Sequence, residues 1–491
     1  MIEVFYKNLH NSISTSDLPA YKYYSEEFTY RDLYGYMKKI NFHIAPYKQK
    51  RIVLYGGKSV YMYAAIYSII LSGNTWIPFP LGYPDNRLLE MLEVLDADIM
   101  IYEEDIPQAL IEFAKGKDII LWKLGELIEE PEEREFEEFK FSKDDIAYIM
   151  FTSGSTGIPK GVPMTHENYI NFVNNAMEIL PFKKGEIFSD YHDFAFDISI
   201  FYLFCAPLTQ SALSPIKKNE ELIFPVAHFQ KNQITVLSSV PSVISRIQKL
   251  RTNDIIENDF HILFICGEPF RLDALKYCYD NLSVPYVYNF YGLTETGVEN
   301  FYYPCSKEDL VKYEQKGFVP IGTPLKGNDI MVTDDHELLI SGCQVTPMYL
   351  GGIESQRFEL IDGVRWYHTG DIVEKCADFY FCKGRIDSQV KLSGYRIELM
   401  DIEAQVRRFE GIKEAVCFLD DRTYAKFLLC VCEVNEGTLM QAQNLKNYLN
   451  YLLPEYMIPK KFFFVHDMPC NTNGKLDRKK IREMYLAGVI G

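Results

Sequence analysis

The chain has 491 residues, 47% hydrophobic and 14% aromatic, enough apolar mass for the cores of two or more domains. Its formal net charge of −17 argues against bulk binding to nucleic acid or to an anionic membrane surface. Eleven scattered cysteines, an N-terminus without a basic stretch leading into an apolar core, and no apolar run long enough to span a bilayer predict a reduced, cytoplasmic protein with no membrane insertion.

Strand-like and helix-like segments alternate along most of the chain. Strands are predicted at 51–55, 98–102 and 118–122, with an apolar core helix at 59–71. Residues 126–138 form an acidic run, read as a solvated surface segment. The apolar run at 146–150 predicts a buried strand, and helices follow at 166–177 and 197–205. Strands at 234–238, 261–266 and 284–289 then alternate with helices at 242–250 and 272–279. Such alternation implies parallel sheets covered by helices, an α/β fold. From about residue 337 the pattern shifts to short strands and turns. After 384 comes a compact α+β unit with helices at 401–409 and 439–453 and strands at 415–419, 427–434 and 462–465. Cys430 and Cys432 alternate along one of these strands and should share a face as buried thiols.

The most informative stretch follows the strand at 146–150. It reads Phe151-Thr152-Ser153-Gly154-Ser155-Thr156-Gly157-Ile158-Pro159-Lys160. Glycines let backbone N–H groups approach an anion closely, hydroxyls add donors, and Lys160 adds a positive charge, so the loop reads as a phosphate cradle. It lacks the Gly-Lys-Ser/Thr triplet of a Walker loop and the spacing of a nucleophile elbow.

Five further segments follow in order. In Asn289-Phe290-Tyr291-Gly292-Leu293-Thr294-Glu295-Thr296-Gly297 an aromatic could stack a base, and Glu295 offers a hard oxygen of the kind Mg²⁺ accepts beside phosphates. Tyr367-His368-Thr369-Gly370-Asp371 ends in a carboxylate able to accept both hydroxyls of a ribose; a turn aspartate is the alternative. Lys383-Gly384-Arg385-Ile386-Asp387 and Lys391-Leu392-Ser393-Gly394-Tyr395-Arg396 set charges around glycines. Asn473-Gly474-Lys475 places a lysine on a glycine turn near the chain end.

Together these segments resemble the adenylate-forming superfamily of acyl- and amino-acid-activating enzymes, from about residue 71 to 478. The resemblance implies an α/β fold. Its large N-terminal domain, 1–384, would hold parallel-rich sheets covered by helices plus a small β-barrel-like subdomain. A small, mobile C-terminal α+β lid would span 385–491. It implies ATP and Mg²⁺, formation of an acyl-adenylate, and transfer of the acyl group to a thiol. By position, Thr152, Ser153, Gly154, Ser155, Thr156, Gly157 and Lys160 match the phosphate loop. Gly267, Glu268, Asn289, Tyr291 and Gly292 match the adenine site, and Thr294 follows them. Glu295 matches the metal ligand, Asp371 and Arg385 the ribose contacts, and Asp387 the hinge. Lys475 matches the catalytic lysine that bridges substrate carboxylate and α-phosphate, acting with Thr152 and Glu295.

The identity of the acid rests on Phe196-Asp197-Ile198-Ser199. In the resemblance, an aspartate here pairs with a substrate α-ammonium, and a carboxylate facing a cavity needs such a cation. The alternative is a helix N-cap. The side-chain pocket would be lined by Ile198, Phe201, Ser238, Phe264, Cys266, Phe290, Val298 and Glu299, with the phenylalanines shrinking its volume. Glu299 either points to solvent, the favoured reading, or recognises a polar group. The pattern around Cys266 and Lys475 resembles free-standing amino-acid:carrier ligases, including the D-alanine branch, and implies a carrier protein met in trans. Leu293, where such members carry proline, favours instead an acid:CoA ligase of the same superfamily. A catalytically inactive binding homologue is the remaining alternative.

Overall fold

The structure is a computed structural model that describes residues 2–490 except 104, 130, 137–140, 154–157, 252–254, 353–355, 423–425, 436–439 and 470–475. The chain divides into two compact units: Met1–Leu81, Leu95–Met150 and Gly161–Ile386 form the first, and Gly82–Val94, Phe151–Lys160 and Asp387–Gly491 the second.

The first unit is built around large sheets. A nine-stranded sheet runs in the order Thr323–Pro324, Phe301–Pro304, Tyr286–Tyr291, Ile262–Ile265, Val236–Ser239, Ile187–Asp190, Ala212–Pro215, Pro19–Tyr23, Glu26–Thr29. Its central strands are parallel and its margins antiparallel. A six-stranded sheet holds Ile120–Lys123, Ile99–Tyr102, Arg51–Tyr55, Thr75–Phe79, Ile146–Thr152 and Lys160–Thr165. The helix Val60–Leu71 is capped by Ser59, whose side chain accepts from the Met62 N–H. It buries every residue but Tyr61, which explains why its sequence is apolar all round. The expected barrel-like subdomain is a five-stranded antiparallel sheet, Asn328–Val332, Glu337–Gly342, Val364–Cys376, Phe358–Ile361 and Phe379–Arg385, whose pairing among the described residues forms an open path.

Local departures from expectation have plain causes. The described acids of the run 126–138 are exposed as expected, though the run begins within the helix Leu124–Glu129, which buries Leu127, and Glu133 pairs with Lys38 at 2.6 Å. The helix expected from 197 starts two residues later, at Ser199–Leu208, with Ile198 at the N-cap making no side-chain bond.

In the second unit a hairpin, Gln389–Leu392 with Tyr395–Glu398, leads into the helix Leu399–Arg407. A three-stranded sheet follows, with Phe427–Val434 antiparallel to Ile412–Asp420 and parallel to Lys461–Val465. The helices Leu399–Arg407 and Ala442–Asn450 pack one apolar cluster, with Ile402, Leu445 and Leu449, and Arg478–Leu486 packs another, with Val416, Val431 and Ile481. Cys430 and Cys432 do share a face, their sulfurs 3.6 Å apart and both buried. Residues 82–94 belong to this unit. There Arg87, 4% exposed, holds the fully buried Asp401 at 2.7 Å, and Tyr83 bonds Tyr456, whose ring stacks on Tyr395. A buried ion pair contributes little net stability while both partners are present, but losing one costs about 3–5 kcal/mol.

Candidate functional site

In the first unit the strand Tyr286–Tyr291 organises the site, because successive side chains leave a strand on opposite faces. Asn289 and Tyr291 point one way and Tyr288 and Phe290 the other: Tyr291 joins the cluster containing Leu293 and Tyr367, whereas Phe290 and Tyr288 belong to the main core. Asn289 is 3% exposed and donates from Nδ2 to the Pro320 carbonyl at 2.8 Å. Its Oδ1 is buried and has no hydrogen-bond partner among the described residues. Leaving a buried acceptor unmet costs about 1–3 kcal/mol. The exocyclic amine of adenine has the donor this atom lacks. The Ser239 and Ser242 hydroxyls, beside Gly267 and Glu268, are likewise buried without partners, while the Glu268 carboxylate accepts from the Ser242 N–H at 3.0 Å. Gly267 has φ +81°, a conformation glycine adopts without penalty.

Asp371 and Arg385 face each other across neighbouring strands. Arg385 Nη1 donates to Asp371 Oδ1 at 2.7 Å, and Tyr291 Oη donates to Asp371 Oδ2 at 2.6 Å. Burial, helped by the Asp371 charge, pushes the Tyr291 phenol well above its usual range, so it stays a donor. Each carboxylate oxygen retains a lone pair for a ribose hydroxyl.

Glu295 is buried on the short turn Thr294–Thr296. Tyr349 Oη donates to its Oε1 at 2.9 Å, and the Thr346 N–H donates to its carbonyl at 2.8 Å. One oriented carboxylate fits Mg²⁺, which takes one or two protein oxygens and otherwise water and phosphate. Neither Tyr349 nor Thr346 is signalled by motif spacing; both reach Glu295 across some fifty residues of sequence.

Thr294 joins the turn bearing Glu295 to Asp197: its Oγ1 donates to Asp197 Oδ2 at 2.6 Å. The Asp197 carboxylate thus turns to Thr294 just before the helix Ser199–Leu208. Phe201, Phe264 and Phe290 form one stack, with centroids 4.1 and 4.3 Å apart and planes tilted by 21° and 22°. All three are buried, as are Ile198, Ser238, Cys266 and Val298. The Ser238 hydroxyl donates to the Ser189 carbonyl at 3.1 Å, so its proton is committed to the backbone. Glu299 is 4% exposed, which corrects the solvent-facing reading. The main chain there packs closely: a Cβ on Gly292 would lie 2.4 Å from the Glu299 Cα and 2.3 Å from the Val298 carbonyl oxygen, so this chain segment lies directly on Gly292.

In the second unit, Thr152 ends the strand Ile146–Thr152 and Lys160 begins Lys160–Thr165. Ser153 Oγ accepts from the Glu398 N–H at 3.1 Å and donates to the Arg396 carbonyl at 3.4 Å. Asp387 Oδ1 accepts from the Gln389 N–H at 3.1 Å. Gly154, Ser155, Thr156, Gly157 and Lys475 lie outside the described residues.

A family model for AMP-binding enzymes matches residues 10–350. A D-alanine–D-alanyl carrier protein ligase of Staphylococcus aureus (strain JH9) is 29% identical over 477 residues, covering 95% of this chain and 96% of the relative. An o-succinylbenzoate CoA synthetase from Bacillus subtilis superposes with a TM-score of 0.83 at 20% identity, over 97% of this chain and 98% of its own. The Vibrio cholerae adenylation domain AlmE, solved with glycyl-adenosine-5′-phosphate, gives a TM-score of 0.81 at 21% identity over 98% of both chains. The fold shared with these structures is the α/β arrangement expected from the sequence. Among the described residues, no helix is long and apolar enough to cross a membrane.

Proposed function

The chain belongs to the family of AMP-binding enzymes and is an adenylate-forming ligase; from that premise we propose that it activates a small amino acid and passes it to the thiol of a separate carrier protein. In the first half-reaction a carboxylate oxygen bonds to the α-phosphorus of ATP, the bond to the β-phosphate oxygen breaks, and pyrophosphate leaves. In the second, a phosphopantetheine sulfur bonds to the acyl carbon and AMP departs.

The observation that carries the amino-acid reading is Asp197, whose carboxylate is held by Thr294 at 2.6 Å next to the turn bearing Glu295. A substrate ammonium beside this half-buried carboxylate would form a charge-assisted hydrogen bond with it. The stack of Phe201, Phe264 and Phe290 supports a small side chain, because three buried rings in mutual contact occupy volume that a long side chain would need. Glycine and D-alanine, the acids in the names of the AlmE complex and the Staphylococcus aureus relative, both suit that space.

In this reading Asn289 and Tyr291 hold the base, Asp371 and Arg385 the ribose, and Thr152 to Lys160 the departing phosphates. Bound through Glu295, Mg²⁺ would neutralise phosphate charge. Lys475, carried by a lid of residues 385–491 turning about Asp387 against a domain of residues 1–384, would reach the developing charge at the α-phosphate. Ten free thiols among the described residues support a reducing, cytoplasmic setting. The buried Leu293 favours a second reading, an acid:CoA ligase.

Pyrophosphate exchange with the twenty amino acids, D-alanine and short fatty acids tests the proposal. Exchange with a small amino acid is expected, and Asp197→Ala should raise KM for that acid far more than for ATP. Exchange confined to acids without an amine would overturn the role given to Asp197.

A further inference from the structure

The turn that carries Thr294, Glu295, Val298 and Glu299 has an unfavourable backbone. Gly297 has φ +79° and Val298 has φ +77°. For a β-branched residue such a φ is a true outlier, which persists only where surrounding structure imposes it. Around Val298 itself, support comes from a side chain distant in sequence. Gln344 is fully buried, and its Nε2 donates to the carbonyls of Gly297 and Glu299, both at 2.8 Å. These two carbonyls flank Val298, so the amide straddles the residue with the unusual φ. Gln344 Oε1 accepts from Asn328 Nδ2 at 2.7 Å, and Asn328 Oδ1 accepts from Asn300 Nδ2 at 3.0 Å. Asn300 Nδ2 also donates to the Thr296 carbonyl at 2.7 Å. Carbonyls around one end and an N–H donor at the other fix which way the Gln344 amide points. The fit leaves no slack, because a Cβ on Gly297 would lie 2.8 Å from the Gln344 carbonyl oxygen.

We propose that Gln344 is a positioning residue for the acyl-substrate pocket, holding Gly297 and Val298 in left-handed backbone so that the Val298 and Glu299 side chains take their places at the pocket wall. That Val298 and Glu299 meet the acid rests on the function proposed above; that Gln344 imposes their backbone does not. The amide touches no reacting atom and acts through the turn.

The first test is a stability cycle that needs no substrate. Gln344→Ala removes the clamp, and Val298→Gly removes the side chain that makes the left-handed backbone costly. The expected result is a clear fall in unfolding midpoint for Gln344→Ala in the wild-type background and a distinctly smaller fall in the Val298→Gly background. Equal falls in both backgrounds would overturn the proposal. Gln344→Glu, which keeps the shape and sets a carboxylate against carbonyls, repeats the comparison if the alanine variant does not fold. The second test reads catalysis on the acid accepted by the wild type. Gln344→Ala should raise KM for the acid by roughly ten- to hundredfold while leaving KM for ATP within about twofold, as expected for a misplaced pocket wall. Ser59→Ala, which loses the cap of a helix with no residue in the site, controls for lost stability and should leave both constants unchanged. Equal increases in both constants for Gln344→Ala would refute a positioning role. If the wild type accepts no amino acid, the proposed function falls, and the stability cycle still decides the role of Gln344.

Discussion

Phe290→Ala should widen the range of acids the enzyme accepts. Phe290 is 2% exposed and stacks on Phe264 at 4.3 Å, which in turn stacks on Phe201 at 4.1 Å. Removing an enclosed ring of this kind costs about 3–5 kcal/mol of stability if the space stays empty. A larger substrate side chain would refill that space and recover about 0.8 kcal/mol for each methylene it buries. A three-carbon extension therefore recovers about 2.4 kcal/mol, about fiftyfold in relative kcat/KM by the rule of 1.4 kcal/mol per tenfold. The assay is pyrophosphate exchange with glycine, alanine and leucine, giving the leucine-to-alanine ratio for wild type and variant. KM for ATP should stay near its starting value, because Tyr291 and Asn289 leave the strand on the opposite face. Phe290→Leu, a smaller change in volume, should move the ratio in the same direction by less. A folded Phe290→Ala enzyme with normal ATP affinity and an unchanged ratio would refute the placement of Phe290 on the acyl pocket.

Asp371→Ala removes the acceptor shared by Tyr291 and Arg385 and leaves a largely enclosed guanidinium without its partner, so it should destabilise the protein by about 3–5 kcal/mol and raise KM for ATP more than for the acid; thermal unfolding and exchange kinetics measure both. Lys475→Ala should abolish adenylation yet spare transfer from preformed adenylate, and equal loss of both steps would refute its assignment to a lid. His368 gives a pH signature. Burial pulls its pKa down, but hydrogen bonds to Glu337 and Glu359 outweigh this and leave it above the ordinary 6.5. Its contribution to stability is therefore complete below about pH 6.5 and disappears as pH rises through the elevated folded value. Unfolding midpoints followed across that range should show the decline in the wild type and lose it in His368→Gln.

The elements with a distinctive apolar pattern were readable in advance, and the all-apolar helix at 59–71 is the clearest case. Its composition leaves burial as the only stable outcome, and Ser59 marks its start. What could not be read depended on distant partners. Glu299 looked solvent-facing because isolated carboxylates usually are, and its burial depends on chain segments that meet only in the fold, with the main chain of 298 and 299 lying on Gly292. The φ of Val298 runs against local preference, so propensity misleads there, and the amide that sustains it comes from position 344. The inclusion of residues 82–94 in the second unit depends on Arg87 meeting Asp401, 314 positions away, and neither residue carries a motif. The hydroxyl that orients Asp197 was unreadable for a related reason: Thr294 lies 97 positions downstream.

The strand Tyr286–Tyr291 also bears on how this protein can change over generations. Its two faces deal with different molecules under the proposed function, one side chain to each in turn. A substitution at 290 alters what the acid meets and leaves the groups at 289 and 291 where they were. Drift in substrate preference is thus mechanically uncoupled from nucleotide handling, even though the residues concerned are covalent neighbours. Gly292 sets the limit of that freedom. A side chain there would strike main-chain atoms of 298 and 299 at 2.3–2.9 Å, so position 290 can vary while position 292 is held to glycine.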